Sequence, residues 1–224
     1  IKRLRERILA EETIPRDEPE LLWARAWMAT SHEPWNLVRR ARATAAVLEG
    51  LTPEIGPDEL LVGTFSRRAL SPGERAELER WRSELSPVAS PVWGQRAHMA
   101  IDYETLLRRG LSGLRRQIAL YRQRLDLTRP DDLERDAFYR ACEIALDGLR
   151  TLFERYAEAC EQEAARTSDA GRAKELCELA RICRRVPEHP AETFHEALQA
   201  IHLTTYALCA GQLMLLFQLG RPDR

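Results

Sequence analysis

The sequence has little of several features that would point directly to a function. It contains two lysines among its 34 basic residues, and the formal net charge is −1 over 224 residues. We therefore expect no basic surface of the kind that binds nucleic acid or an anionic membrane. The first residues are charged and no apolar stretch follows them, so a secretory signal peptide is not predicted and a cytoplasmic location is expected.

The cysteines also lack any arrangement with an obvious purpose. They number five and no pair has Cys-x-x-Cys spacing, which favours reduced and buried thiols. No cysteine has a histidine partner in sequence or a glycine-rich turn around it, so an activated nucleophile is not predicted. The five are Cys142, Cys160, Cys177, Cys183 and Cys209.

Three of the five histidines lie in the stretch RVPEHPAETFHEALQAIH, residues 185–202. His195 and His202 are seven residues apart, so on a helix they share a face but are separated by about 10 Å, too far for one zinc ion. His189 precedes the helix and could join only one of them. Thr193 and Glu196 have the spacing of a capping box. The stretch therefore predicts a helix start, and no metal site is expected.

Apolar periodicity predicts a mainly α fold with a few short strands. The best strand candidate is residues 60–65, which follow the helix breakers Pro53, Gly56 and Pro57. Asp102 is predicted to cap a helix whose apolar stripe runs from Tyr103 to Leu125. Gly110 and Gly113 beside that stripe predict the close approach of another backbone. Helices are predicted over 18–30, 35–49, 74–85, 102–127, 131–166, 169–185 and 191–218.

The run from Ala197 to Gly220 carries no formal charge if His202 is neutral. Its length would suffice to cross a hydrocarbon core of about 30 Å. Gln199 and several other polar residues lie within it, which favours a helix buried inside a soluble protein. A membrane-associated helical protein stays an alternative.

Several segments resemble the N-terminal region of glycyl radical enzymes of the pyruvate formate-lyase-like group. The resemblance covers nearly the whole chain from about residue 35 and makes 1–224 the N-terminal part of one such domain. It implies the helical N-terminal portion of an α/β barrel in an anaerobic radical lyase, dehydratase or decarboxylase, akin to formate C-acetyltransferase. The segments are RRARATAAVLEGLTPEIGPDELLVGTFSRR, HMAIDYETLLRRGLSGL, VPEHPAETFHEALQ and LGRPDR.

The two radical motifs of that group do not occur in this sequence. The group carries its thiyl cysteine in Gly-Cys-x-Glu/Asp and its radical glycine in Arg-Val-x-Gly-Tyr/Phe, and this chain has neither. We therefore expect no catalytic residue and no bound cofactor here, and a chain that is inactive alone. By resemblance, a radical-SAM iron–sulfur activating enzyme installs the glycyl radical in the missing C-terminal part. The resemblance also implies a homodimer and a small organic substrate.

The resemblance suggests three substrate-binding positions. The group has Gly-His before x-x-x-Asp-Tyr, and here Ala97-His98 precedes Asp102-Tyr103, so His98 is expected to contact substrate. The alternative is a histidine packed beside a neighbouring Trp or Met.

The other two positions come from aligning LGRPDR with the group's Gly-Arg-x-Asp. Leu215 and Leu216 then replace a His-Ser pair that lines the pocket of dehydratases. Leucines favour apolar contact and leave hydroxyls without partners, so an aryl or alkyl substrate is expected rather than a small diol. A helical interaction or regulatory protein derived from the group stays the alternative function.

Overall fold

The computed structural model describes residues 5, 6, 9, 17–85, 98–211 and 216–218, with the backbone alone at 98–100 and 216–218. The mainly α fold is confirmed, and each predicted helix begins within three residues of its expected position. The elements are α1 Asp17–Ala29, α2 Asn36–Gly50, α3 Pro72–Leu85, β1 His98–Ala100, α4 Tyr103–Arg122, α5 Pro130–Arg166, α6 Ala170–Arg185, α7 Phe194–Ala210 and β2 Leu216–Gln218.

The long helix α5 is the centre of the core. Pro130 lies in its first turn with acidic residues beside it, where a proline and negative charges are favoured. It packs against both α2 and α6. Gly148 permits the close crossing with α2, because a Cβ there would lie 2.7 Å from the Cα of Ala45. Leu152 and Tyr156 in the following turns are fully buried.

Helix α1 carries two stacked tryptophans and is joined to its neighbours by cation–π and charged contacts. The Trp23 and Trp27 rings stack with centroids 5.0 Å apart, and the Arg39 guanidinium of α2 lies 3.9 Å from the Trp27 ring. Arg82 of α3 reaches the Glu20 carboxylate at 2.6 Å. Glu20 is buried, so this ion pair is partly shielded from water and ties α3 to α1.

The predicted strand at residues 60–65 is wrong. The segment forms only an isolated bridge between Glu54 and Thr64. The physical reason is the partner of its backbone: the N–H and the C=O of Val62 both bond to the side-chain amide of Gln199 rather than to a neighbouring strand. A buried extended segment must satisfy its backbone groups, and here a side chain does so.

The predicted helix over 191–218 is wrong at its C-terminal end. Helix α7 stops at Ala210, and Leu216–Gln218 forms strand β2. Periodicity does not distinguish a short apolar run in a strand from one in a helix, and residues 213–217 are such a run. Among the described residues, no helix is both long and apolar enough to cross a membrane.

Helix α4 is shorter than predicted, and its apolar stripe is only partly covered. Tyr103 and Leu111 are buried, whereas Tyr121 near its end is 40% exposed. Asp102 caps the helix as predicted, since its carboxylate accepts from the Thr105 amide at 3.0 Å.

Candidate functional site

The two short strands pair in parallel, and they define the candidate site. His98 pairs with Leu216, Met99 with Phe217 and Ala100 with Gln218. Parallel strands need a long crossover connection, which here consists of α4 to α7. Ligand sites of α/β proteins lie at the carboxyl ends of such strands. The carboxyl ends of this pair are Ala100 and Gln218, so His98 and Leu216 lie at its amino end.

The strand pair brings together two of the three predicted substrate-binding residues. His98 and Leu216 are register partners, so their Cα atoms are neighbours across the pair. Leu215 lies outside the described residues. Substrate contact by His98, Leu215 and Leu216 stays a prediction.

The residues directly after β1 are tightly held. The Asp102 carboxylate accepts from both the amide and the hydroxyl of Thr105, and these hydrogen bonds lower the pKa of Asp102. The Tyr103 hydroxyl lies 2.6 Å from the hydroxyl of Thr205 on α7. Burial raises the pKa of Tyr103, so the phenol stays protonated at neutral pH. Asp102 and Tyr103 thus fix the junction between β1 and α4.

Residues 54–64, between α2 and α3, form an extended stretch that we call the 54–64 segment. This segment explains the seven-residue spacing of His195 and His202. His195 Nε2–H donates to the Leu60 carbonyl at 2.9 Å. One turn later, the fully buried Gln199 accepts from the Val62 amide at 2.9 Å and donates to the Val62 carbonyl at 2.8 Å. Successive turns on one face of α7 therefore bond to the backbone of the segment at Leu60 and Val62.

His202 continues the same face of α7. Its ring lies against Gly63, where a Cβ would come within 3.2 Å of His202 Cδ2 and 3.1 Å of Leu203 Cδ1. The positive φ of 133° at Gly63 also favours glycine. Burial lowers the pKa of His202, although the nearby Glu59 carboxylate works against the shift. His195 and His202 thus both pack against the 54–64 segment from one face of α7.

The 54–64 segment is also held by hydrogen bonds from its own Glu59 and from side chains of α5 and α6. The buried Glu59 carboxylate accepts from the Gly56 amide at 2.9 Å and from the Thr64 hydroxyl at 2.8 Å. Arg172 of α6 donates to the carbonyls of Gly56 and Glu59. Tyr156 of α5 donates to the Thr64 carbonyl at 3.1 Å. Three helices therefore fix this segment through side-chain hydrogen bonds.

The start of α7 carries the predicted capping box. The Thr193 hydroxyl accepts from the Glu196 amide, and the Glu196 carboxylate accepts from the Thr193 amide. Burial of Glu196 opposes its ionisation, but hydrogen bonds from the Glu192 and Thr193 amides and the charge of Arg185 outweigh burial and lower its pKa. The carboxylate is thus a structural anchor for the helix.

The turn before α7 inserts into the hydrogen-bond ladder of α4. In an unbroken helix the Leu111 amide would donate to the Leu107 carbonyl. Instead it donates to Pro187 O at 2.7 Å, and Leu107 O accepts from the Ala191 amide at 3.0 Å. Gly110 allows this break with φ 61° and ψ 178°. The close approach predicted at Gly110 is confirmed, whereas the atoms nearest to Gly113 belong to the side chains of Arg109 and Arg116 in the same helix. His189 lies exposed in the inserted turn.

Residues 75–224 match the model of the pyruvate formate lyase-like family. The chain belongs to this family. Its members of known chemistry are glycyl radical dehydratases and lyases, and the resemblance found in the sequence is confirmed.

Two curated relatives show how much of the family's length is represented. A probable dehydratase of Escherichia coli is 36% identical over 103 residues, which are 46% of this chain and 13% of the relative. Isethionate sulfite-lyase of Nitratidesulfovibrio vulgaris is 38% identical over 100 residues, 44% of this chain and 12% of the relative. The matched part is thus about an eighth of either relative.

Solved structures of the family share the fold of this chain. A structure described for 1,2-propanediol dehydration in Roseburia inulinivorans superposes with a TM-score of 0.84 at 23% identity, covering 94% of this chain and 32% of that one. Hydroxyproline dehydratase of Clostridioides difficile gives a TM-score of 0.79 at 24% identity, covering 99% and 35%. The chain spans about a third of these enzymes.

Three of the five cysteines have thiols whose pKa is raised in the folded chain. Burial raises the pKa of Cys160 to about 12, and it also raises those of Cys142 and Cys183. Thiols of this kind are poorly ionised packing residues. Among the described residues, no group of three or more His, Cys, Asp or Glu is arranged to hold a metal ion.

Proposed function

We propose that this chain is the helical N-terminal part of a glycyl radical enzyme that cleaves a C–C, C–O or C–N bond of a small organic substrate. The observation that carries the proposal is the parallel pair of β1 and β2, with His98 and Leu216 as register partners. A parallel pair exposes its outer edges unless further strands follow. Such a pair in a chain of this family fits the beginning of the barrel that encloses the substrate.

The chain alone is proposed to be catalytically silent. It matches about a third of the solved enzymes, and no cysteine follows a glycine. Anaerobic incubation of the purified chain with a radical-SAM activating enzyme is expected to give no glycyl-radical doublet in electron paramagnetic resonance. A doublet from this chain would overturn the proposal.

The genomic sequence after the codon for Arg224 tests whether this chain is the N-terminal part of a longer enzyme. We expect an open reading frame that continues into barrel sequence with a Gly-Cys-x-Glu/Asp motif and ends in Arg-Val-x-Gly-Tyr/Phe. A stop codon directly after Arg224 would contradict it and would favour a helical interaction or regulatory protein of the same ancestry.

The intact enzyme is proposed to act on an aryl or alkyl substrate. Leu216 is the register partner of His98, and by resemblance Leu215 and Leu216 replace a His-Ser pair, so a polyol would lack the hydrogen-bond partners that it needs. The activated full-length homodimer should turn over aryl or alkyl acids and leave glycerol untouched. Turnover of glycerol with no response to those acids would refute this assignment.

A further inference from the structure

A hydrogen-bond relay joins the start of α4 to α7. The Thr205 hydroxyl donates its one hydrogen to the Ile201 carbonyl at 2.7 Å. The Tyr103 hydroxyl, 2.6 Å away, must therefore donate to Thr205. Tyr103 is buried and lies three residues after the end of β1, while α7 leads directly into β2. The relay connects the two elements that carry the paired strands.

The first turns of α4 are also held by packing, since Tyr103 is buried and Leu107 packs against the main core. The break at Gly110 separates Tyr103–Arg109 from the rest of the helix, because the Leu107 carbonyl bonds to Ala191 and not to Leu111. The stretch 98–109 is consequently tied to the remainder by the strand pair, the inserted turn and the relay. Apart from the strand pair itself, the relay is the tie nearest to β1 in the chain.

We propose that Tyr103 and Thr205 are positioning residues that hold β1 in register with β2, and so set where His98 stands opposite Leu216. The proposal rests on the proposed function for its meaning in catalysis. The hydroxyl pair itself touches no reacting atom. It acts by fixing the angle at which the chain leaves β1, through one hydrogen bond of 2.6 Å to α7.

The test is hydrogen–deuterium exchange of the 224-residue chain, read in peptides that cover 98–101 and 216–218. Tyr103→Phe and Thr205→Val each remove the relay. Both are expected to accelerate exchange in these peptides about three- to tenfold, the effect of losing one hydrogen bond on local opening. Thr205→Ser keeps the hydroxyl and should restore the wild-type rate.

Thr204 provides a matched control on the same helix. It is buried whereas Thr205 is half-buried, and its hydroxyl has no hydrogen-bond partner among the described residues. Thr204→Val should therefore leave exchange at 98–101 unchanged. Equal acceleration by both valine variants, or acceleration spread evenly over α5 and α6, would overturn the proposal. Because the readout is strand pairing and not turnover, it can fail while the proposed function stands, and the reverse.

Discussion

Where α2 meets α5 the buried atoms are apolar, whereas where α7 meets the 54–64 segment they are amides, carbonyls and imidazoles. Gly148 lets α5 approach Ala45 closely, and Leu152 is fully buried nearby. In contrast, Val62 is bound through its backbone by Gln199, which is 137 residues away. The contact between α2 and α5 is held by apolar side chains that recur at helical spacing. The contact between α7 and the 54–64 segment is held by individual hydrogen bonds. The two regions should therefore respond to substitution in different ways.

Truncation in the apolar contact is expected to have the largest effect on stability. Leu152→Ala should lower the free energy of unfolding by about 2–5 kcal/mol, because it removes buried methyl groups and leaves a cavity. Leu133→Ala is the matched control, since Leu133 is 43% exposed, and it should change the value by no more than about 0.5 kcal/mol. Urea denaturation followed by circular dichroism measures both. Similar losses for the two variants would contradict the placement of the core.

Removing the amide that holds the 54–64 segment should come next. Gln199→Leu keeps a side chain of similar size but leaves the Val62 N–H and C=O without partners. Each buried orphan costs roughly 1–3 kcal/mol, and burial of the leucine offsets part of that cost, so we expect a loss of about 2–4 kcal/mol in urea denaturation. The exposed Gln162 on α5 gives the control variant Gln162→Leu, for which little change is expected. A neutral Gln199→Leu would show that the segment does not depend on α7.

Substitution of two glycines, Gly110 in the broken helix α4 and Gly73 in α3, should affect stability in opposite directions. Gly110→Ala forces a side chain into φ 61° and ψ 178° and places a Cβ 3.1 Å from the His189 amide nitrogen. We expect a loss of about 1–3 kcal/mol. Gly73 is helical, and a Cβ there meets no atom within 4 Å, so Gly73→Ala should be neutral or stabilising by up to about 1 kcal/mol. Thermal melts of both variants test the pair, and a harmless Gly110→Ala would contradict the break.

The smallest effect concerns pH. Burial lowers the pKa of His202 in the folded chain below its ordinary value of 6.5. Below pH 6.5 the unfolded chain binds a proton that the folded chain resists, so this contribution to stability is complete above pH 6.5 and declines as the pH falls. His202→Gln should reduce the difference between the free energies of unfolding at pH 7.5 and at pH 5.5. An unchanged difference would mean that other groups are responsible.

The helices could be predicted because their signals are local. Apolar residues at helical spacing, the Asp102 cap and the capping box of Thr193 and Glu196 each need only neighbouring residues. All three predictions are confirmed. The close approach at Gly110 was also predictable, because a glycine beside an apolar stripe permits it.

The remaining features depend on partners far away in the sequence. Residues 60–65 have the composition of a strand, but whether Val62 meets a strand or the Gln199 side chain is decided by the fold. The same holds for 216–218, which become a strand because β1 lies beside them. The insertion of Pro187 and Ala191 into α4 leaves no local signal beyond the prolines and Gly110. Site residues on the two strands were suggested by resemblance, not by pattern.

Two histidines allow the most direct test of the central claim, that β1 contributes to the substrate site while the polar face of α7 serves structure. The measurement compares His98→Ala and His202→Ala in the activated full-length enzyme. We predict that His98→Ala lowers kcat/KM at least about tenfold, the loss of one hydrogen bond to substrate, at an unchanged Tm. His202→Ala should lower Tm and leave kcat/KM within about twofold of the wild type. The reverse result, a full-activity His98→Ala or a His202→Ala that loses turnover without losing Tm, would contradict the account.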